Sequence, residues 1–94
     1  MGPANLQETI ANNVRYYRIE KGYSQAGFAA VIGRSRQWVS HVETGVRRLN
    51  TEHIELLAEK LGVKVNDLLV WHDLGQEFEK GAQRISVRLI RTIV

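Results

Sequence analysis

Glycines divide the first two-thirds of the chain into short segments. Gly22, Gly33, Gly45 and Gly62 each follow a stretch that carries apolar side chains at helical spacing. Glycine readily adopts the left-handed backbone conformation that ends many helices. The single proline stands at position 3 and leaves the rest of the chain free to be helical. This pattern predicts a mostly α-helical domain built from short helices.

Hydrophobic spacing and capping residues predict five helices. Leu6, Ile10, Val14 and Tyr17 recur at intervals of four, four and three, which places them on the buried face of the first helix. Serine, threonine or asparagine residues suited to capping precede the first four helices. The predicted helices span 6–21, 25–32, 36–44, 52–61 and 65–71, with Asn5, Ser24, Ser35 and Asn50 or Thr51 as N-caps.

The composition excludes several kinds of site. The chain has no cysteine, which excludes a disulfide framework, a thiolate nucleophile and a cysteine-based zinc site. His41, His53 and His72 match no short metal-ligand spacing, and His53, on an acidic helix, is expected to be solvated. The sequence therefore predicts no enzyme, no metal and no cofactor. No apolar run reaches the roughly 18 residues of a membrane span, so we expect none. A small domain without cysteine fits the cytoplasm, which is where we expect the protein.

Charge is distributed unevenly along the chain. The net charge is only +3, but residues 1–50 contain seven basic and three acidic residues. Residues 51–83 contain three basic and seven acidic residues, and residues 84–94 contain three arginines and no acidic residue. The basic first half is therefore the part expected to meet a polyanion.

The segment 24–45, SQAGFAAVIGRSRQWVSHVETG, contains two short predicted helices joined by a turn at Gly33, which is a helix-turn-helix pattern. Together with flanking residues it resembles the phage repressor/Cro-like (xenobiotic-response-element, XRE) family of transcriptional regulators, over about residues 8–70. The resemblance implies a five-helix, lambda-repressor-like DNA-binding domain. The matching residues are Arg18, Gln25, Ala29, Gly33, Ser40, Glu43 and Gly45, and the sequence departs from the family pattern at Gly27 and Trp38.

The third predicted helix is the candidate recognition helix. A DNA major groove admits one α-helix, whose N-terminal side chains contact the base edges. Arginine can form a bidentate pair with guanine, and glutamine with adenine. By resemblance, the residues that contact bases are Arg36, Gln37, Ser40 and His41. Trp38 has two open interpretations, because it could contact a DNA sugar or thymine methyl group, or pack against its own domain.

The resemblance also implies contacts with the DNA backbone and an ion pair that orients the recognition helix. The expected phosphate contacts are Gln25, Arg47 and Arg48, with Arg34 and Ser35 as further candidates. Ser35 is expected to act first as a helix cap. Arg18 and Glu43 are expected to pair, which would tie the first helix to the end of the third.

The C-terminal residues predict an assembly segment. Residues 85–94 include alternating apolar and polar positions, which favours a β-strand. We divide the chain into a DNA-binding domain at 1–74 and a linker plus strand at 75–94. The strand could pair with a second copy, pack on its own domain or bind another protein, and dimerisation is the preferred interpretation. The predicted dimer contacts are Ile85, Val87, Leu89, Ile93 and Trp71.

These features predict a transcriptional regulator, most simply a repressor, that binds a pseudo-palindromic operator as a homodimer. RNA polymerase is a conceivable partner for the acidic fourth helix. The alternative is an antitoxin-type protein whose residues 75–94 bind a toxin while the helix-turn-helix regulates its own operon.

Overall fold

The computed structural model describes residues 5–71. This part of the chain forms five helices: α1 (Leu6–Glu20), α2 (Gln25–Ile32), α3 (Arg36–Glu43), α4 (Thr51–Leu61) and α5 (Val65–Leu69). The mostly α, five-helix architecture is confirmed, and the helix bounds differ from the predicted ones by at most two residues. The predicted strand at 85–94 and the domain boundary after residue 74 lie outside the described residues.

Side-chain caps begin α2 and α3, as the sequence predicted. The hydroxyl Oγ of Ser24 accepts a hydrogen bond from the Gly27 backbone N–H at 2.9 Å, and Ser35 Oγ accepts one from Trp38 N–H at 3.0 Å. Between these two caps, Gly33 adopts a left-handed conformation with φ of +71°, which ends α2. The turn between α2 and α3 is therefore tight because Gly33 ends one helix and Ser35, two residues later, begins the next.

One hydrophobic core holds the five helices together. Each helix contributes a side chain that is at most 1% exposed: Val14, Phe28, Val39, Leu57 and Leu68. Such burial contributes about 1.5–3 kcal/mol for each large apolar side chain. Because α2 and α3 both pack into this core, the angle between them is fixed by the rest of the domain. None of the helices within residues 5–71 is both long and apolar enough to cross a membrane.

Leu6 is the exception to the predicted buried face of α1, because its side chain is 55% exposed. The other predicted members of that face, Ile10, Val14 and Tyr17, are buried. Leu6 lies in the first turn of α1, where it lines an open groove with Leu49. The helical spacing was correct, but no element in the described part of the chain covers the first turn of α1.

A buried asparagine attaches α5 to α1. Asn13 is 2% exposed, and its side-chain Nδ2 donates hydrogen bonds to the carbonyl oxygens of Leu68 and Val70, both at 2.9 Å. Val70 has an extended backbone, so α5 ends at Leu69 and not at Trp71 as predicted. The asparagine thus satisfies carbonyl groups where the short helix ends.

Replacing Asn13 with alanine is expected to lower the free energy of unfolding by about 2 kcal/mol, because two buried hydrogen bonds are lost. Urea denaturation followed by circular dichroism measures this change. The matched control is Asn12→Ala, since Asn12 Nδ2 is buried without a hydrogen-bond partner among the described residues. We expect the control to change stability by less than about 0.5 kcal/mol, and equal losses in both variants would contradict the proposed role of Asn13.

Candidate nucleic-acid interface

Helix α3 presents a polar face to solvent and an apolar face to the core. Val39 and Val42 are 1% and 2% exposed and fix the rotation of the helix about its axis. The opposite side carries one half-buried and three exposed polar residues. These are the four residues that the sequence assigned to base contacts: Arg36, Gln37, Ser40 and His41. The helix therefore presents these polar side chains together at one surface.

A buried ion pair ties the end of α3 to α1. Arg18 Nε lies 2.5 Å from Glu43 Oε2, and Arg18 Nη2 donates to Glu43 Oε1 at 3.0 Å. The two side chains are only 9% and 3% exposed. Arg18 Nη1 also donates to the Tyr23 carbonyl oxygen at 2.8 Å. This two-point geometry holds α3 in a defined orientation, because planar guanidinium and carboxylate groups match in one arrangement.

Gln25 connects this ion pair to the predicted base-contacting surface. Its Nε2 donates to Glu43 Oε1 at 3.1 Å, and its Oε1 accepts a hydrogen bond from Arg36 Nη1 at 3.1 Å. The family resemblance implied that Gln25 contacts a DNA phosphate. In the structure its side chain also forms hydrogen bonds with Glu43 and Arg36. The side chain thereby orients Arg36 before any DNA is bound.

The loop after α3 is fixed through its backbone while its arginines remain exposed. Arg47 N–H donates to the His41 carbonyl oxygen at 3.0 Å. Gln7 Nε2, from α1, donates to the Arg47 carbonyl oxygen at 3.1 Å and also to the Gly45 carbonyl oxygen. No sequence signal indicated this role for Gln7. Arg47 and Arg48 are both exposed beside α3.

Trp38 packs within its own domain, which is the second of the two interpretations left open by the sequence. It is 7% exposed, and its ring lies edge-on to His53, with the ring centroids 5.5 Å apart. Two guanidinium groups also lie near the indole: Arg34 Cζ is 5.1 Å and Arg47 Cζ 5.7 Å from the ring centroid. Its Nε1 is buried without a hydrogen-bond acceptor among residues 5–71.

His53 was expected to be solvated, but in the structure it caps α4 and packs against Trp38. Its Nδ1 accepts a hydrogen bond from the Asn50 backbone N–H at 3.3 Å, and Asn50 Oδ1 accepts one from the His53 N–H at 2.8 Å. Burial against the domain lowers the pKa of His53, and the positive charges of Arg34 and Arg47 lower it further. Its position three residues after Asn50 matches a capping box, which is the signal that could have identified it.

Exposed positive charge flanks α3 on both sides in sequence. Four arginines are exposed on α3 or in the segments on either side of it: Arg34, Arg36, Arg47 and Arg48. Glu43, the acidic residue of α3, is turned inward to pair with Arg18. Exposed guanidinium groups at the edge of a polar helix can bind a polyanion such as the DNA backbone.

Comparison with protein families gives a match to the helix-turn-helix family HTH_3 over residues 14–68. A hypothetical transcription factor of Neisseria meningitidis serogroup B is 36% identical over 66 residues, which cover 70% of this chain and 62% of that protein. The control protein C.BamHI of Bacillus amyloliquefaciens is 31% identical over 72 residues, which cover 76% of this chain and 89% of that protein.

Solved structures show the same similarity. The crystal structure of the hypothetical transcription factor NHTF from Neisseria matches with a TM-score of 0.71 and 34% identity, over 85% of this chain and 91% of that chain. The restriction-modification controller protein C.AhdI from Aeromonas hydrophila matches with a TM-score of 0.62 and 31% identity, over 66% of this chain and 90% of that chain. The family match, over residues 14–68, begins within α1 and ends within α5, so it extends beyond the two helices of the central motif.

Proposed function

Because the chain belongs to the XRE-type helix-turn-helix family HTH_3, whose members are DNA-binding transcription regulators, we propose that it binds a pseudo-palindromic operator as a homodimer. The observation that carries this proposal is the polar face of α3, which is oriented by the buried pair of Arg18 and Glu43. A helix held at a fixed angle can present its side chains to base edges without a further cost of ordering the backbone.

In this proposal α3 lies in the major groove of one half-site. Arg36, already oriented by Gln25, pairs with a guanine, and Gln37 pairs with an adenine. Ser40 and His41 contact further base edges as the helix follows the groove. Trp38 is proposed to pack behind this surface without contacting bases, in keeping with its burial.

The backbone contacts surround this helix. Arg34 and Ser35 lie before α3, and Arg47 and Arg48 lie after it. We propose that all four contact phosphates at the edge of the groove that α3 enters. Gln25 is proposed to reach a phosphate from the start of α2 while it holds Arg36. Such contacts position the protein but read no sequence.

Dimerisation is proposed because one domain of this size covers only half of an operator. Val65 and Val70, which begin and follow α5, are 37% and 43% exposed, and Trp71 beside them is half-buried. These apolar side chains, together with residues 85–94, are the proposed contact with a second copy. The pairing would separate the two recognition helices by about 34 Å, one turn of DNA.

The relatives favour a particular regulatory setting. C.BamHI is described as a control protein and C.AhdI as a restriction-modification controller protein. We therefore favour a controller of restriction and modification genes, acting as a repressor where it blocks RNA polymerase, over the antitoxin alternative.

The division between base and phosphate contacts can be tested with two arginine variants. Arg36→Ala is expected to weaken binding to a selected operator by about 1–3 kcal/mol and to relax the preference at one base pair in each half-site. Arg48→Ala is expected to weaken binding to all duplexes alike and to reduce the magnitude of the salt slope by about one. Fluorescence anisotropy at several salt concentrations measures both. If the two variants lose affinity equally on operator and scrambled duplexes, Arg36 does not read bases.

A further inference from the structure

We infer that Trp38 is a positioning residue whose indole holds the guanidinium groups of Arg34 and Arg47 together as one phosphate clamp. This inference rests on the proposed DNA-binding function. It explains why Arg34 and Arg47, two of the proposed contacts with DNA phosphates, lie where they do. Arg34 lies in the turn before α3, and Arg47 lies in the loop after it. The indole therefore connects two segments that lie at opposite ends of the recognition helix in sequence.

The distances place both cations within reach of the same ring. Arg34 Cζ lies 5.1 Å and Arg47 Cζ 5.7 Å from the Trp38 ring centroid, and attraction between a guanidinium and an aromatic face extends to about 6 Å. Tryptophan provides the largest attraction of this kind among the aromatic side chains. Trp38 itself is held against His53 of α4, so it is a fixed support for two flexible side chains.

The cluster of Arg34, Arg47 and Trp38 contains two positive charges that are not paired with a carboxylate among the described residues. Within residues 5–71, no carboxylate forms an ion pair with Arg34 or Arg47, since the ion pair found there joins Arg18 and Glu43. Two guanidinium groups held near one ring repel each other, and a bound anion would relieve that repulsion.

The backbone around the indole also favours an anion. Trp38 lies in the first turn of α3 and His53 in the first turn of α4, so the N-terminal ends of both helices converge on the indole. Helix N-termini carry partial positive charge and favour anions. Burial lowers the pKa of His53, the positive charges of Arg34 and Arg47 lower it further, and the carboxylate of Glu52 raises it.

A DNA phosphate is the anion that fits this arrangement. The clamp borders the exposed polar face of α3, which is the surface proposed to enter the major groove, and groove edges are lined by phosphates. Pre-positioned guanidinium groups lose less side-chain freedom on binding than free ones, so the indole would raise affinity without contacting the DNA.

The test is a set of double-mutant cycles on the full chain, with a labelled duplex of scrambled sequence as the probe. Arg34→Ala and Arg47→Ala are each expected to weaken binding about threefold or more when Trp38 is present. In the Trp38→Leu background the same changes are expected to cost less than about twofold, because the arginines have already lost their support. Arg48→Ala is the matched control, and its cost should be the same in both backgrounds.

A role of Trp38 in folding alone gives a different result. In that case Arg34→Ala and Arg47→Ala cost the same in both backgrounds, which would overturn the clamp. Trp38→Phe keeps an aromatic ring and is expected to restore most of the coupling, whereas failure of this variant to restore coupling in a folded protein would also count against the clamp.

Nuclear magnetic resonance of the unaltered protein provides a measurement that no folding defect can affect. The side-chain protons of Arg34 and Arg47 should show ring-current shifts from Trp38, and both sets should move when the duplex is added. Absence of these shifts would overturn the clamp. Absence of any DNA binding by the unaltered protein would instead contradict the proposed function and the clamp with it.

Discussion

Replacing Glu43 with alanine is expected to lower the free energy of unfolding by about 3–5 kcal/mol, since it leaves a buried arginine without its counter-charge. The Arg18 side chain is 9% exposed, so water cannot fully replace the lost carboxylate. Of the three hydrogen bonds that its guanidinium makes, only the one to the Tyr23 carbonyl oxygen would remain. Chemical denaturation measures the loss.

The same substitution should also affect DNA recognition. Glu43 Oε1 accepts a hydrogen bond from Gln25, which in turn orients Arg36, so the base-contacting arginine loses its indirect support. The matched control is Glu55→Ala, an exposed change on α4 that is expected to alter stability by less than about 0.5 kcal/mol. A stability loss below about 1 kcal/mol for Glu43→Ala would show that the ion pair is not what fixes α3.

The second large effect is expected from Phe28→Ala in the helix-turn-helix itself. Phe28 is fully buried, and its ring packs against Tyr23 with the centroids 5.6 Å apart. Removing the ring should cost about 3–5 kcal/mol, because lost burial and the remaining cavity both destabilise the domain. Thermal and urea unfolding measure this change.

The control for Phe28 lies on the same helix. Val31 is 40% exposed on α2, so Val31→Ala removes apolar atoms from the other side and should change stability by less than about 0.5 kcal/mol. Similar losses in the two variants would mean that α2 does not pack in the orientation described, and the placement of α3 beside it would then also be in doubt.

Local chemistry made most of the fold predictable. Ser24 and Ser35 cap helices because a side-chain oxygen can reach a backbone N–H three residues later. Gly33 ends α2 because it adopts a left-handed conformation. These interactions span only a few residues, so they can be recognised in the sequence before any tertiary contact is known.

The features that could not be predicted depend on contacts between distant segments. Leu6 has the spacing of a core residue, yet no element within residues 5–71 covers it. The end of α5 depends on Asn13, which lies 55 and 57 positions before the carbonyl groups it binds. Local propensity contains no information about either arrangement.

In the candidate site, too, local features were predictable and contacts between distant segments were not. The polar face of α3 follows from the positions of Val39 and Val42 and was predictable from helical periodicity. The position of Trp38 was not, because it depends on His53 from the next helix and on guanidinium groups from two loops. The sequence therefore predicted the polar face of α3 but not the packing of Trp38 behind it.

The polar face of α3 is proposed to read base pairs in a two-fold symmetric site. In-vitro selection from a random duplex pool tests this proposal when it is performed with the unaltered chain and with Arg36→Ala. For the unaltered chain we expect an inverted repeat with half-site centres about 10–10.5 base pairs apart. For Arg36→Ala we expect the same repeat with one relaxed position in each half. Enrichment of no common sequence, or of an identical site by both proteins, would contradict it.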